Sequence, residues 1–258
     1  MKITTTILQN AEVLARQISI LSYGSARLAR AVSTAEKSAD VPAIASLWRE
    51  LQSTVDRDPA GAAKYANHHF WLWRNVHRAA RLRLHTQQPL RILDIGVGPG
   101  YFLAIAKALG HECVGVECPE SMLSPLEQDV YSRLLDSLRC RSAVVRHRIE
   151  PFKPLPEKLT GFDLITAFMI CFNSHRKQAE WGVAEWKFFI ESAQARLRPG
   201  GVLLLSLNDH VEKFGKLRCY DRALLRYFQS VGTVEGHRIT IPNVLTPKDA
   251  ACDAVLQK

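Results

Sequence analysis

The chain has 258 residues, 47% apolar and 23% charged, which suits a globular protein of one large domain with an appendage or two small domains. Its longest apolar run, Leu164 to Phe172 broken only by Thr166, falls far short of the roughly 20 residues a spanning helix needs, so no membrane partner is expected. The net charge is +9, and with 12 Lys/Arg against 6 Asp/Glu in residues 1–88 but 22 against 19 in residues 89–258, the basic excess lies mainly in the N-terminal third and suggests an anionic partner or substrate.

The six cysteines (Cys113, Cys118, Cys140, Cys171, Cys219, Cys252) are scattered and never form C-x-x-C, so neither a zinc ribbon nor a redox pair is indicated. Free thiols in a reducing cytosol are expected. The first residues show no apolar stretch of a secretory signal, and a cytoplasmic location is the expectation. The histidines form no H-x-x-x-H pair and no Cys/His cluster, so no metal site is expected.

In chain order, Ala11, Leu14, Ile18, Leu21, Leu28 and Val32 recur at helical spacing, interrupted at Gly24-Ser25. The stripe suits a helical cap and also allows a homodimer. A second helix is predicted from Asp40 as N-cap, with Pro42 in its first turn, toward Asp56. A third covers about 62–85. It mixes aromatics with Arg74, Arg78, Arg81 and Arg83, a pattern that fits either an amphipathic helix packed on a sheet edge or a grip on an anion such as nucleic acid.

From Leu90 the pattern changes. Arg91–Ile95, Glu112–Glu117, Ala143–Ile149, Phe162–Phe168 and Val202–Leu207 read as strands, with helices predicted at Gly100–Leu109, Pro119–Leu138 and Trp181–Leu197. This alternation argues an α/β fold: a Rossmann-like, doubly wound, mostly parallel sheet with an α-helical N-terminal extension. Pro199-Gly200-Gly201 marks a turn before the fifth strand. A helix near Asp221–Ser230, a short antiparallel strand ending at Ile241, and a short helix from Thr246-Pro247 complete the prediction. The organisation expected is a helical extension over 1–88, an α/β domain over 89–242 and a tail over 243–258.

The segment Arg91-Ile-Leu-Asp-Ile-Gly-Val-Gly-Pro-Gly-Tyr-Phe102 is the most informative. A buried strand runs into glycines that permit positive φ and close backbone approach, and a helix with exposed N–H groups follows. A dinucleotide fingerprint, G-x-G-x-x-G, would need glycine where Tyr101 stands. The spacing Asp94-x-Gly96-x-Gly98-x-Gly100 instead resembles motif I of the class I S-adenosylmethionine (SAM)-dependent methyltransferases. Glu117 at the end of the next strand, Gly161-Phe-Asp-Leu-Ile-Thr-Ala-Phe168, and Leu197-Arg-Pro-Gly-Gly-Val-Leu-Leu-Leu205 extend the resemblance over about residues 90–207. The resemblance implies SAM as cofactor, with Asp94, Gly96, Val97, Gly98, Gly100, Glu117, Cys118, Glu150 and Phe168 around it. A carboxylate at Glu117 can accept hydrogen bonds from both ribose hydroxyls. Glu150 fits only loosely the place where many relatives carry an acid that reaches the adenine.

Catalytic groups in such folds come from the carboxyl ends of strands. That points to Cys171-Phe-Asn-Ser-His-Arg176 and Asn208-Asp-His210, with His175 as the preferred general base and His210 as the second. Cys171 lacks the Pro-Cys context of a cytosine-methylating nucleophile, and the N/D-P-P-Y/F motif of adenine- or glutamine-methylating enzymes is absent. The acceptor expected is therefore the hydroxyl of a small molecule or carbohydrate. The alternatives are an RNA methyltransferase using the basic third helix, and a non-catalytic scaffold of the same fold.

Overall fold

The computed structural model describes residues 13–15, 17, 25–58, 61–170, 181–208, 210–211, 217–218 and 220–243. It divides into two compact units. One comprises Met1–Pro89, Val97–Gly115 and Pro119–Val144; the other comprises Leu90–Gly96, Val116–Cys118 and Val145–Lys258.

The first unit is helical. α1 (Ala26–Ser38) begins at Ser25, whose side chain caps the Leu28 N–H, and it buries Leu28, Ala31, Val32 and Ala35 along one face. Leu28 and Val32 of the expected stripe are thus buried, whereas upstream Leu14 is 58% exposed and its neighbour Val13 3% exposed; Ala11, Ile18 and Leu21 lie outside the described residues. α2 (Val41–Arg57) starts at Asp40, whose carboxylate accepts from Ala43 N at 3.1 Å, as predicted. Ile44, Leu47, Leu51 and Val55 form its buried face, each stabilising the unit by about 1.5–3 kcal/mol.

The single helix expected over 62–85 is instead three pieces. A 3-10 turn over Ala62–Ala66 stops at Asn67, whose side chain caps Phe70 N at 3.2 Å and starts α3 (His68–Arg81). Arg83, at φ +51°, then ends the run, and a second 3-10 turn follows at Leu84–Thr86. α3 buries Phe70, Leu72, Val76, Ala79 and Ala80 and packs on α4 (Tyr101–Ala108), rather than on the sheet edge expected for it. The helix predicted over Pro119–Leu138 also breaks. Ser124 and Glu127 form a reciprocal capping box, and Pro125 opens α5 (Pro125–Ser137).

The second unit holds the sheet. Its strands are β1 (Arg91–Ile95), β2 (Glu112–Glu117, whose first residues belong to the helical unit), β3 (Val144–Arg146), β4 (Phe162–Ile170), β5 (Leu197–Leu207), β8 (Thr233–Glu235) and β9 (Arg238–Pro242). The order is β3-β2-β1-β4-β5-β9-β8. β1 and β4 pair in parallel, as do β4 and β5, while β9 runs antiparallel to β5 and to β8. A small separate ribbon pairs β6 (His210–Val211) with β7 (Leu217–Arg218). The order runs outward from β1 on one side and from β4 on the other. The topological switch point, where ligands seat in open α/β sheets, therefore lies between them.

α6 (Val183–Gln194) packs on β5 through Trp186, Phe189, Ile190 and Ala193. Trp186 meets Phe228 of α7 (Arg222–Val231) edge-on, with ring centroids 5.4 Å apart. Asp221 caps α7 at Leu224 N. Two strands depart from expectation. β3 is shorter than predicted, and beyond it the His147 N–H still donates to Glu117 O at 2.8 Å. Pro199-Gly200-Gly201 is an irregular stretch within β5, not a turn ahead of it: Leu197 pairs with Phe162 and Val202 with Leu164, so the extra residues loop out. Gly200 takes φ +75°, and a Cβ on Gly201 would lie 2.9 Å from Phe162 O. The tail helix expected from Thr246 lies outside the described residues.

Candidate active site

β1 is buried from Ile92 to Ile95, and Asp94 within it is only 4% exposed. A carboxylate so placed needs partners. Thr166, its register neighbour on β4, donates from Oγ1 to Asp94 Oδ1 at 2.7 Å. Gly96 then extends the pairing beyond the strand, its N–H donating to Val116 O at 2.8 Å.

The next residues turn sharply. Gly96, Gly98 and Gly100 have φ of +73°, +53° and +89°, each in the left-handed region that favours glycine. The last two serve different needs. A Cβ on Gly98 would meet nothing within 4 Å, so this position borders open space. A Cβ on Gly100 would lie 2.9 Å from Leu135 Cδ2 and 3.3 Å from Cys140 Cβ, so here the absence of a side chain permits packing. Val97, between Gly96 and Gly98, is buried, and α4 begins at Tyr101.

Glu117 closes β2 and is 9% exposed; its Oε1 accepts from Cys118 N at 2.9 Å. Cys118 is half-buried, and its carbonyl accepts from Arg146 at 3.2 Å. Phe168 is half-buried on β4, in register with Ser206 of β5. Glu150 lies in the loop beyond β3. Its carboxylate pairs with Lys153 at 2.9 Å and Arg148 at 3.1 Å, and the Lys153 hydrogen bond leads in holding its pKa below the usual carboxylate range. His175 and Cys171 lie outside the described residues, and of His210 only the backbone, paired with Arg218 in the β6–β7 ribbon, is described.

One feature at the carboxyl end of β4 has no counterpart in the sequence reading. The β4–β5 register shifts between Phe168 and Ile170, and Met169 in that bulge is 43% exposed with φ +54°. Such a backbone is costly for a side chain longer than glycine. The buried Asn208, just past β5, donates from Nδ2 to Met169 O at 2.8 Å and holds the bulge. A methionine in an apolar run carries no sign of left-handed backbone, and Asn208 stood out only as part of a polar loop.

Two buried carboxylates on adjacent strands, Asp94 shortly before the glycines in the chain and Glu117 closing β2, suit a ligand that is cationic at one end and carries vicinal hydroxyls. An acid at Asp94 is unfavourable for a pyrophosphate on the same turn. A family model described as a methyltransferase domain matches residues 64–230. The chain belongs to that family. Membership bears out the resemblance read from residues 90–207.

Among solved structures, the chain is similar to CalS10, an amino pentose methyltransferase from Micromonospora echinaspora involved in calicheamicin biosynthesis. The identity is 23% over 54% of this chain and 51% of that one, with a TM-score of 0.38. DesVI of Streptomyces venezuelae matches at 17% identity over 56% of this chain and 53% of its own, with a TM-score of 0.40. The PH0226 protein of Pyrococcus horikoshii OT3 matches at 15% identity over 64% and 88%, with a TM-score of 0.44. The chain thus spans about half the length of the first two. No curated protein matches it. Among the described residues no helix is long and apolar enough to cross a membrane.

Proposed function

We propose that this methyltransferase-domain protein moves a methyl group from SAM to the hydroxyl of a small or sugar-like metabolite. The observation supporting the cofactor is the turn after β1, where three left-handed glycines follow the buried Asp94. When bound, SAM supplies an electrophilic methyl on a sulfonium, and the difficult chemistry is the cofactor's own. The chain's residues bind and orient. Asp94, fixed by Thr166, sets negative charge beside the turn for the cofactor's ammonium end. Gly96, Val97, Gly98 and Gly100 let the backbone approach the ligand. Glu117 offers its carboxylate to the ribose hydroxyls, with Cys118 and Phe168 alongside.

The hydroxyl acceptor rests on the polar sequences after β4 and β5, Asn173-Ser174-His175 and Asn208-Asp209-His210, and on the missing amine-methylating motif. His175 is the proposed base, with His210 second. A positioned base of this kind contributes roughly 10²–10⁴-fold. The basic third helix favours RNA less than its composition suggested, because two of its four arginines, Arg74 and Arg78, serve the helix itself. The Arg74 guanidinium lies 5.2 Å from the Trp71 ring centroid, and Arg78 donates to Asn75 at 2.9 Å.

Incubation with methyl-labelled SAM and a panel of hydroxylated metabolites tests the reading. Label is expected in a small molecule, and Asp94→Ala and Glu117→Ala are each expected to abolish it. Label recovered only in RNA would replace the acceptor. Absence of SAM binding by calorimetry would leave a scaffold of the same fold.

A further inference from the structure

A buried imidazole with no hydrogen-bond partner among the described residues stands against the first residue of the helix that follows the glycine turn. His68 is the first residue of α3, and its ring lies against Tyr101, the first residue of α4, with centroids 5.6 Å apart. Tyr101 follows Gly100 directly, and its hydroxyl is already committed, donating to Tyr65 O at 3.1 Å. Both ring nitrogens of His68 are sealed from solvent and have no hydrogen-bond partner among the described residues. Burial lowers the pKa of this imidazole to about 4, with His69 adding a smaller push in the same direction, so the ring is neutral at pH 7.

A neutral imidazole carries one donor and one acceptor, and leaving both unmade in a protein interior is unfavourable. Phenylalanine would fill a similar volume and keep the aromatic contact with Tyr101 at no such cost. Unpaired buried polar groups of this kind call for a partner supplied from outside the chain.

We infer that His68 is a ligand-binding residue, supplying a hydrogen bond to a polar group of the nucleoside cofactor seated on the glycine turn. This rests on the assignment of that turn to SAM. The residue as a whole is half-buried, and a half-turn about χ2 exchanges the ring's nitrogen and carbon positions within one outline. The polar atoms can therefore be re-aimed while the packing on Tyr101 is kept.

The test uses S-adenosylhomocysteine, the demethylated cofactor, titrated calorimetrically into the wild-type chain and into His68→Phe and His68→Gln. In the wild-type protein the His68 ring-nitrogen resonances, assigned by their loss in the variants, are followed through the same titration. Binding is expected to weaken about tenfold in His68→Phe, the size of one lost hydrogen bond, and less in His68→Gln. The melting temperature of His68→Phe is expected to rise by a few degrees. The resonances are expected to shift on saturation.

Equal affinity in wild type and His68→Phe, or binding that leaves those resonances unmoved, overturns the inference and leaves a packing residue, satisfied at most by a buried water. Should His68→Phe not fold, the wild-type resonances decide alone. Failure of the wild type to bind at all overturns the cofactor assignment itself, which is a different result.

Discussion

Gly96, Gly98 and Gly100 hold φ values of +73°, +53° and +89° after β1, and Met169 holds +54° at the end of β4. One segment lies just past the carboxyl end of β1 and the other in the last residues of β4, two strands that pair with one another, and both use a backbone conformation that most residues avoid. At the first, composition supplies the conformation, since glycine enters that region freely. At the second, tertiary structure imposes it: a register shift creates the bulge, and the Asn208 amide holds the Met169 carbonyl at 2.8 Å. A turn built from glycine is the same in any surroundings, whereas a clamped methionine depends on its clamp.

Four substitutions break or sharpen that contrast, judged first on stability by urea unfolding. Gly100→Ala is expected to cost the most, on the order of 3 kcal/mol, because strain at φ +89° adds to a Cβ placed 2.9 Å from Leu135 Cδ2. Asn208→Ala is expected to cost about 1–2 kcal/mol, since it removes a buried hydrogen bond and frees the bulge. Gly98→Ala is expected to cost about 1 kcal/mol, from backbone strain alone, because its Cβ would meet open space. Its affinity for S-adenosylhomocysteine should nevertheless fall about tenfold or more, as a methyl group intrudes where the ligand sits. A cost for Gly98→Ala equal to that of Gly100→Ala would show that the two glycines serve packing alike.

Met169→Gly should have the smallest effect and the opposite sign. Relief of left-handed strain of about 1–2 kcal/mol, less the entropy glycine adds to the unfolded chain, leaves a gain of roughly 0.5 kcal/mol. A loss instead would mean that the exposed side chain is held by contacts that outweigh its strain.

Much of the architecture is legible because local chemistry and global fold agree. Asp40 and Asp221 announce helices and cap them, and the apolar runs at Ile92–Ile95 and Val202–Leu205 become central strands. Other signals are present but easily passed over. Ser124-x-x-Glu127 is a capping-box pattern inside what reads as one helix, and Asn67 is a cap residue in the middle of another. Asp94 and Glu117 stand out because an acid at the end of an apolar strand is costly unless it is used. Met169 is opaque for the opposite reason. Its conformation is set by a pairing 37 residues apart in the sequence, Leu207 beside Ile170, and by the amide of the following Asn208. Leu14 and Val13 show the limit of periodicity, which tells that a helix has a buried face and can miss its direction by one residue.

The interleaving of the two units bears on how this fold can change. α4, the helix that follows the glycine turn, packs on α1 and α3, and α5 packs on α2, so residues on both sides of β1 build one helical core. The N-terminal segment therefore cannot be exchanged for an unrelated sequence as though it were a detachable module. Any replacement has to reproduce the faces presented by Leu28, Leu47 and Val76, or the helix that carries Tyr101 loses its support. Divergence upstream of residue 89 is thereby constrained by a turn that begins only after it.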